Sequence, residues 1–189
     1  PSAVTVVEIS DPTAVGENIE VIEQDAVQLV SSPLRARRVV VRLGRSVLLF
    51  HSTNLPIRTR TTLQSGFVAF VAFGPRAAGT LNGLPIGPGR LLLSAPGVEV
   101  EFVVEGGYES VSLLMPPEDI RAHLRGRRRE DEFHLPVCVD LLQACPDAAQ
   151  GLYGLERHLV DMAVRQPEVF DVPQTQAAAQ IDLLESLLA

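Results

Sequence analysis

Ser110-Val111-Ser112-Leu113-Leu114-Met115-Pro116-Pro117-Glu118-Asp119 is the stretch on which the fold class turns. Its first six residues read as a strand. The two prolines end that strand, and Pro117, with Glu118 and Asp119 behind it, reads as the first turn of a helix. Proline loses no hydrogen bond there, and the acidic groups complement the helix dipole. Toward the N-terminus, short β-rich runs alternate with turn signals; toward the C-terminus, helix formers dominate. Strands first and helices afterwards argue for an α+β fold. The expectation is an antiparallel β-barrel or sandwich over residues 1–116, followed by a helical region over residues 117–189.

On the strand side, runs are expected over residues 3–9, 26–30, 37–43, 47–52, 57–63, 66–73, 79–81, 90–94, 98–104 and 110–115. Gly, Pro and Asn punctuate them at close spacing, the pattern of a barrel or sandwich. Asn82-Gly83 is a hairpin signal, because both central residues of a type I′ turn need positive φ. Val98, Val100 and Phe102 alternate with Glu99 and Glu101, so one face there is core or cavity and the other meets water. The acidic stretch 11–25 reads equally as a short helix or a loop.

Beyond residue 116, helices are expected over 117–126, 137–144, 146–165 and from about 174 onward. Leu152, Leu155, Leu159 and Met162 form one apolar stripe; Ala177, Ile181, Leu184 and Leu188 form another. Such stripes need a partner, since short isolated helices are marginal in water. Leu187-Leu188-Ala189 has no Gly cap, polar tail or basic last turn, and reads as a cut within a longer protein.

Hydrophobic residues make up 46% of the 189-residue chain, enough to build a core. No apolar run is long enough to span a bilayer, and the first ten residues lack the features of a signal peptide; a soluble cytoplasmic protein is expected. The net charge of −7 makes the chain a poor binder of phosphate backbones unless its charge is segregated. Arg121, Arg125, Arg127, Arg128 and Arg129 form the basic cluster at a helix end, which reads as a solvated terminus or a partner-binding patch. If Cys138 and Cys145 share one helix they lie about 10 Å apart, too far for a disulfide, and read as buried apolar positions.

Catalytic groups are not recognisable. A small β-barrel invites comparison with metal-binding cupins, which hold a metal with paired His and a carboxylate. Here only His51 of the four histidines lies among the strands, and no His-x-His pair occurs; no metal site is expected, and His51 reads as a structural residue. There is no Gly-x-Ser-x-Gly elbow, phosphate-cradling loop or dinucleotide fingerprint, so no catalytic residue and no cofactor are assigned. A barrel can still hold one small ligand between its sheets. Phe50, Phe67, Phe70, Phe102 and Tyr108 are the aromatic candidates for its lining, with Arg58 as polar anchor; Phe73, Arg42 and Arg60 are further candidates. Plain core packing and an exposed strand face are the competing readings.

Three stretches carry a family resemblance: FGPRAAGTLNGLPIGPG at 73–89, LLLSAPGVEVEFVV at 91–104 and YESVSLLMPPEDI at 108–120. They resemble the N-terminal sensor domains of AraC-type transcription regulators, ethanolamine regulators in particular. The resemblance implies a cupin-like barrel, a small-molecule effector, and a helical region that forms a homodimer. Leu152, Leu155, Leu159, Ile181, Leu184 and Leu188 are the candidate dimerisation residues. Such regulators read DNA through two helix-turn-helix subdomains after the sensor, and none follows here; DNA would be met only through that missing part. The alternatives are a cupin-type metal-dependent isomerase or dioxygenase, which needs metal ligands, and a purely structural dimerisation module, which needs a filled barrel.

Overall fold

Short strands joined by tight turns build two antiparallel sheets. The structure, a computed structural model, describes residues 2–17 and 19–188. The strands are β1 (Val4–Ile9), β2 (Ile22–Gln28), β3 (Ala36–Leu43), β4 (Ser46–Thr53), β5 (Ile57–Leu63), β6 (Val68–Phe73), β7 (Gly79–Leu81), β8 (Leu84–Ile86), β9 (Arg90–Ser94), β10 (Glu99–Val104), β11 (Tyr108–Met115) and β12 (Val139–Gln143). The helices are α1 (Pro117–Gly126), α2 (Pro146–Arg165), α3 (Pro167–Phe170) and α4 (Pro173–Leu187). One sheet runs β1-β3-β4-β11-β6-β9-β12 and the other β2-β5-β10-β7-β8. This is an antiparallel β-sandwich with its helices toward the C-terminus, the α+β class expected.

The turns follow their residues. Asn82 at φ 47° and Gly83 at φ 81° close the β7–β8 hairpin as a type I′ turn. β8 itself was not expected, because Pro85 breaks a strand pattern; β8 is an edge strand, where a missing N–H is tolerated. The ambiguous stretch after β1 forms one 3-10 turn at Pro12–Ala14, and β2 begins earlier than expected, at Ile22.

A larger correction concerns residues 137–144, expected as helix. They contain β12, which pairs antiparallel with β9 from Val139↔Ser94 to Gln143↔Arg90. Val139 and Leu141 pack inward while Asp140 and Leu142 face out, a period of two. Tertiary pairing with an otherwise open edge overrides the helix-like composition. Cys138 and Cys145 therefore flank a strand, and both are exposed rather than buried.

The seven-stranded sheet is buried on both faces. Because side chains alternate, Val39, Val41, Leu48, Phe50, Phe70, Val111, Leu113 and Met115 point one way, onto the helices. Leu152, Leu159, Ala163, Leu183 and Leu184 meet them from α2 and α4. Burying each such Leu or Phe contributes about 1.5–3 kcal/mol. Polar ties fix the layer: the Ala3 N–H donates to Asp171 Oδ1 at 2.7 Å, the Gly44 N–H to Gln176 Oε1 at 2.9 Å, and Arg45 pairs with Asp119. No helix among the described residues is long and apolar enough to cross a membrane.

Candidate functional site

The opposite face of the same sheet looks into the barrel. Ala36 and Arg38 of β3, His51 and Thr53 of β4, Val71 of β6, Leu92 and Ser94 of β9, and Tyr108, Ser110, Ser112 and Leu114 of β11 all point inward. From the second sheet come Ile22 and Gln24 of β2, Thr59 and Thr61 of β5, and Val100, Phe102 and Val104 of β10. Together they enclose a cavity of about 110 Å³. That is comparable in scale to the roughly 150 Å³ cavity that accepts benzene. A purely structural module would fill its barrel; this one is not filled.

Arg38 is the cavity's defining side chain. It is 1% exposed, yet no carboxylate among the described residues pairs with it. Its Nε donates to His51 Nε2 at 2.9 Å, its Nη1 to the Glu17 carbonyl at 3.1 Å, and its Nη2 to Gln24 Oε1 at 2.8 Å. Gln24 is held in turn, its Nε2 donating to Thr61 Oγ1 at 2.9 Å. Arg38 and His51 are direct cross-strand partners, and Ser110 is the partner of His51 on the next strand. Arg38 thus crosses from one sheet to the other.

The electrostatics follow from burial. Desolvation lowers the Arg38 pKa to about 10, which leaves the guanidinium charged at neutral pH. Burial, and secondarily the Arg38 charge, lowers His51 to about 3, so its ring is neutral. Since Nε2 accepts from Arg38, the ring proton sits on Nδ1. Burial raises the Tyr108 hydroxyl above the usual phenol range, with Ser110 offsetting part of the shift. All three acceptors of Arg38 are neutral, so its charge is unbalanced in a region where burying an ion costs several kcal/mol.

The structure separates the aromatic candidates by pleat parity. Phe102 and Tyr108 line the cavity. Phe50 and Phe70 face the helices, with Arg157 stacked 4.5 Å over the Phe50 ring. Phe67 packs, half-buried, on the end cluster that contains Ile22, Leu63 and Leu114. Arg58 points to the solvent face of the second sheet, where it pairs with Glu101. Arg60 pairs with Glu101 at 3.7 Å and Arg42 with Glu20 at 3.6 Å, both outside the cavity. Beside the cavity, Glu20, Glu23, Asp25 and Glu99 rim an exposed polar groove.

Arg38 escaped sequence reasoning. It sits beside Arg37 in a strand apolar on both faces, so alternation does not say which arginine turns inward. In the helical layer, Leu152, Leu159 and Leu184 are spent on this chain's own core. Leu155 and Leu188 are half-buried against it, and Ile181 is 49% exposed. Among the described residues no three His, Cys, Asp or Glu side chains come together as metal ligands.

No protein-family model matches the sequence, and no curated protein is significantly similar to it. Among solved structures, the AraC-like transcriptional activator CuxR superposes with a TM-score of 0.56 at 12% identity. The match covers 87% of this chain and 60% of that one, so this chain spans about three-fifths of the activator's length. It establishes a shared fold. An oxalate decarboxylase from Bacillus subtilis is similar only at a TM-score of 0.27 and 14% identity, over 71% of this chain and 45% of that one, too weak to carry an argument.

Proposed function

We propose that this chain is the effector-binding and dimerisation module of an AraC-like transcription regulator, of the kind seen in ethanolamine regulators. It works in the cytoplasm as a homodimer, and DNA is read by helix-turn-helix domains outside this chain. The observation that carries the reading is the cavity beneath a buried guanidinium that no acid among the described residues neutralises. The site binds rather than catalyses. His51 is too weak a base at neutral pH, and its Nε2 lone pair is already engaged by Arg38.

The sheet suggests how a bound effector is felt outside. Ser110, Ser112 and Leu114 of β11 touch the cavity, while Val111, Leu113 and Met115 of the same strand touch the helices. A ligand that prefers one position of this strand shifts the helical layer, which is the differential interaction that coupling requires. With Leu152, Leu159 and Leu184 buried inside the chain, dimer contacts fall to the outer flank, where Ile181 is exposed.

Thermal unfolding against a panel of small metabolites, with light scattering for mass, tests both halves. A ligand at one hundred times its Kd stabilises by about 2.7 kcal/mol, or roughly 5–10 °C in a chain of this size. The reading predicts a dose-dependent rise for some small molecule and a dimer mass. A strict monomer that no small molecule stabilises, or metal-dependent turnover, would overturn it.

A further inference from the structure

Resting on the reading of the barrel as an effector site, we propose that its ligand is a small monocarboxylate with a compact apolar body, the carboxylate bound to Arg38. A guanidinium carries five N–H donors. Arg38 uses three of them, on His51, the Glu17 carbonyl and Gln24, and one N–H remains on each of Nη1 and Nη2. Arginine side chains suit carboxylates because two of these donors can meet two oxygens at once.

Three features set the ligand class. The cavity holds one positive charge with no acid of the described chain paired to it, so a monoanion restores neutrality where a phosphate dianion would overshoot. Backbone N–H groups of the strands here are engaged in strand pairing, and among the described residues no helix N-terminus lines the cavity, so the backbone donors that normally gather around phosphate are not presented there. The remaining wall is largely apolar, with Val71, Leu92, Val100 and Leu114 around it, and the space of about 110 Å³ suits a body of one ring or a short branched chain. Ser110 and Ser112 leave room for a hydroxyl on that body. The carboxylates of the neighbouring groove, Glu20, Glu23, Asp25 and Glu99, are exposed on the outer side, where water and salt screen them.

Isothermal titration with benzoate, benzamide, benzylamine, toluene and inorganic phosphate tests this on the whole chain. Benzoate is expected to bind at least ten-fold more tightly than its neutral isostere benzamide, with benzylamine and phosphate not binding. Arg38→Met is expected to abolish the preference for benzoate. Should that variant lose its fold by circular dichroism, Arg38→Lys serves instead, keeping the charge and losing the fork, with benzoate weakened but still ahead of benzamide. Benzamide or toluene binding as well as benzoate would overturn the carboxylate assignment while leaving a small-molecule site in place. No binding by any probe would overturn both the assignment and the site. Benzoate affinity unchanged in a folded Arg38→Met would also overturn the assignment.

Discussion

Glu156 gives the sharpest quantitative prediction. It lies in the middle of the buried stripe of α2, among Leu152, Tyr153, Leu159 and Val160, and is fully buried. Neither carboxyl oxygen has a hydrogen-bond partner among the described residues. Burial raises its pKa well above the ordinary 4.5. The native state therefore holds a proton that the unfolded state releases, and stability falls as pH rises from 4.5 toward the raised folded value. The slope is about 1.4 kcal/mol per pH unit inside that window. Even protonated, an unpartnered buried polar group costs about 1–3 kcal/mol. Methionine is unbranched and adapts to irregular space. Glu156→Met is thus predicted to stabilise the chain at pH 7, and the gain over wild type should shrink as pH is lowered toward 4.5. Urea unfolding of both proteins at pH 5, 6 and 7 measures this, since all other titrations cancel in the difference. A variant less stable than wild type at pH 7, or two parallel stability curves, would refute the reasoning.

Three further predictions use the same logic. His51 runs the other way: its pKa falls from 6.5 to about 3 on folding, so the unfolded state takes up the proton first and stability drops by about 1.4 kcal/mol per unit as pH falls through that window; His51→Gln, which keeps an acceptor for Arg38, should flatten the acid limb of the stability curve. Arg58→Ala should cost less than about 1 kcal/mol in urea unfolding, as exposed ion pairs do, and should leave benzoate affinity unchanged, because Arg58 points away from the cavity. Cys138 and Cys145 should both react with a thiol reagent in the folded protein, Cys138 more slowly near pH 8, because the hydrogen bond to Asp140 and its charge raise the Cys138 thiol pKa.

How far the sequence reached depended on whether a local pattern carried the information. The end of β11 at Met115 and the start of α1 at Pro117 are local signals, and so is the Asn82-Gly83 turn; these stand in the structure as read, whereas the all-helical region expected beyond them is interrupted by β12. The outward Glu99 and Glu101 were legible because β10 alternates polar and apolar residues. β3, β4, β6 and β11 do not alternate, since their sheet is covered by the second sheet on one side and by helices on the other. Without alternation, nothing local distinguishes Phe50, which faces α2, from its neighbour His51, which faces the cavity. The same loss hid Arg38. β12 was missed because its strand character comes from β9, distant in sequence. The apolar stripes of α2 and α4 were visible, but whether Leu152 or Leu184 meets this chain or another is decided by the sheet that covers them.

Methyl-resolved NMR of the labelled chain during a benzoate titration probes the interior directly. Saturable shifts should appear at Val71, Leu92, Val100, Val104 and Leu114, which surround the cavity, and be smaller at Val111 and Leu113, which lie behind the same sheet. Spectra unchanged at the interior methyls, or shifts confined to exposed side chains such as Val27 and Leu84, would contradict a ligand chamber between the two sheets.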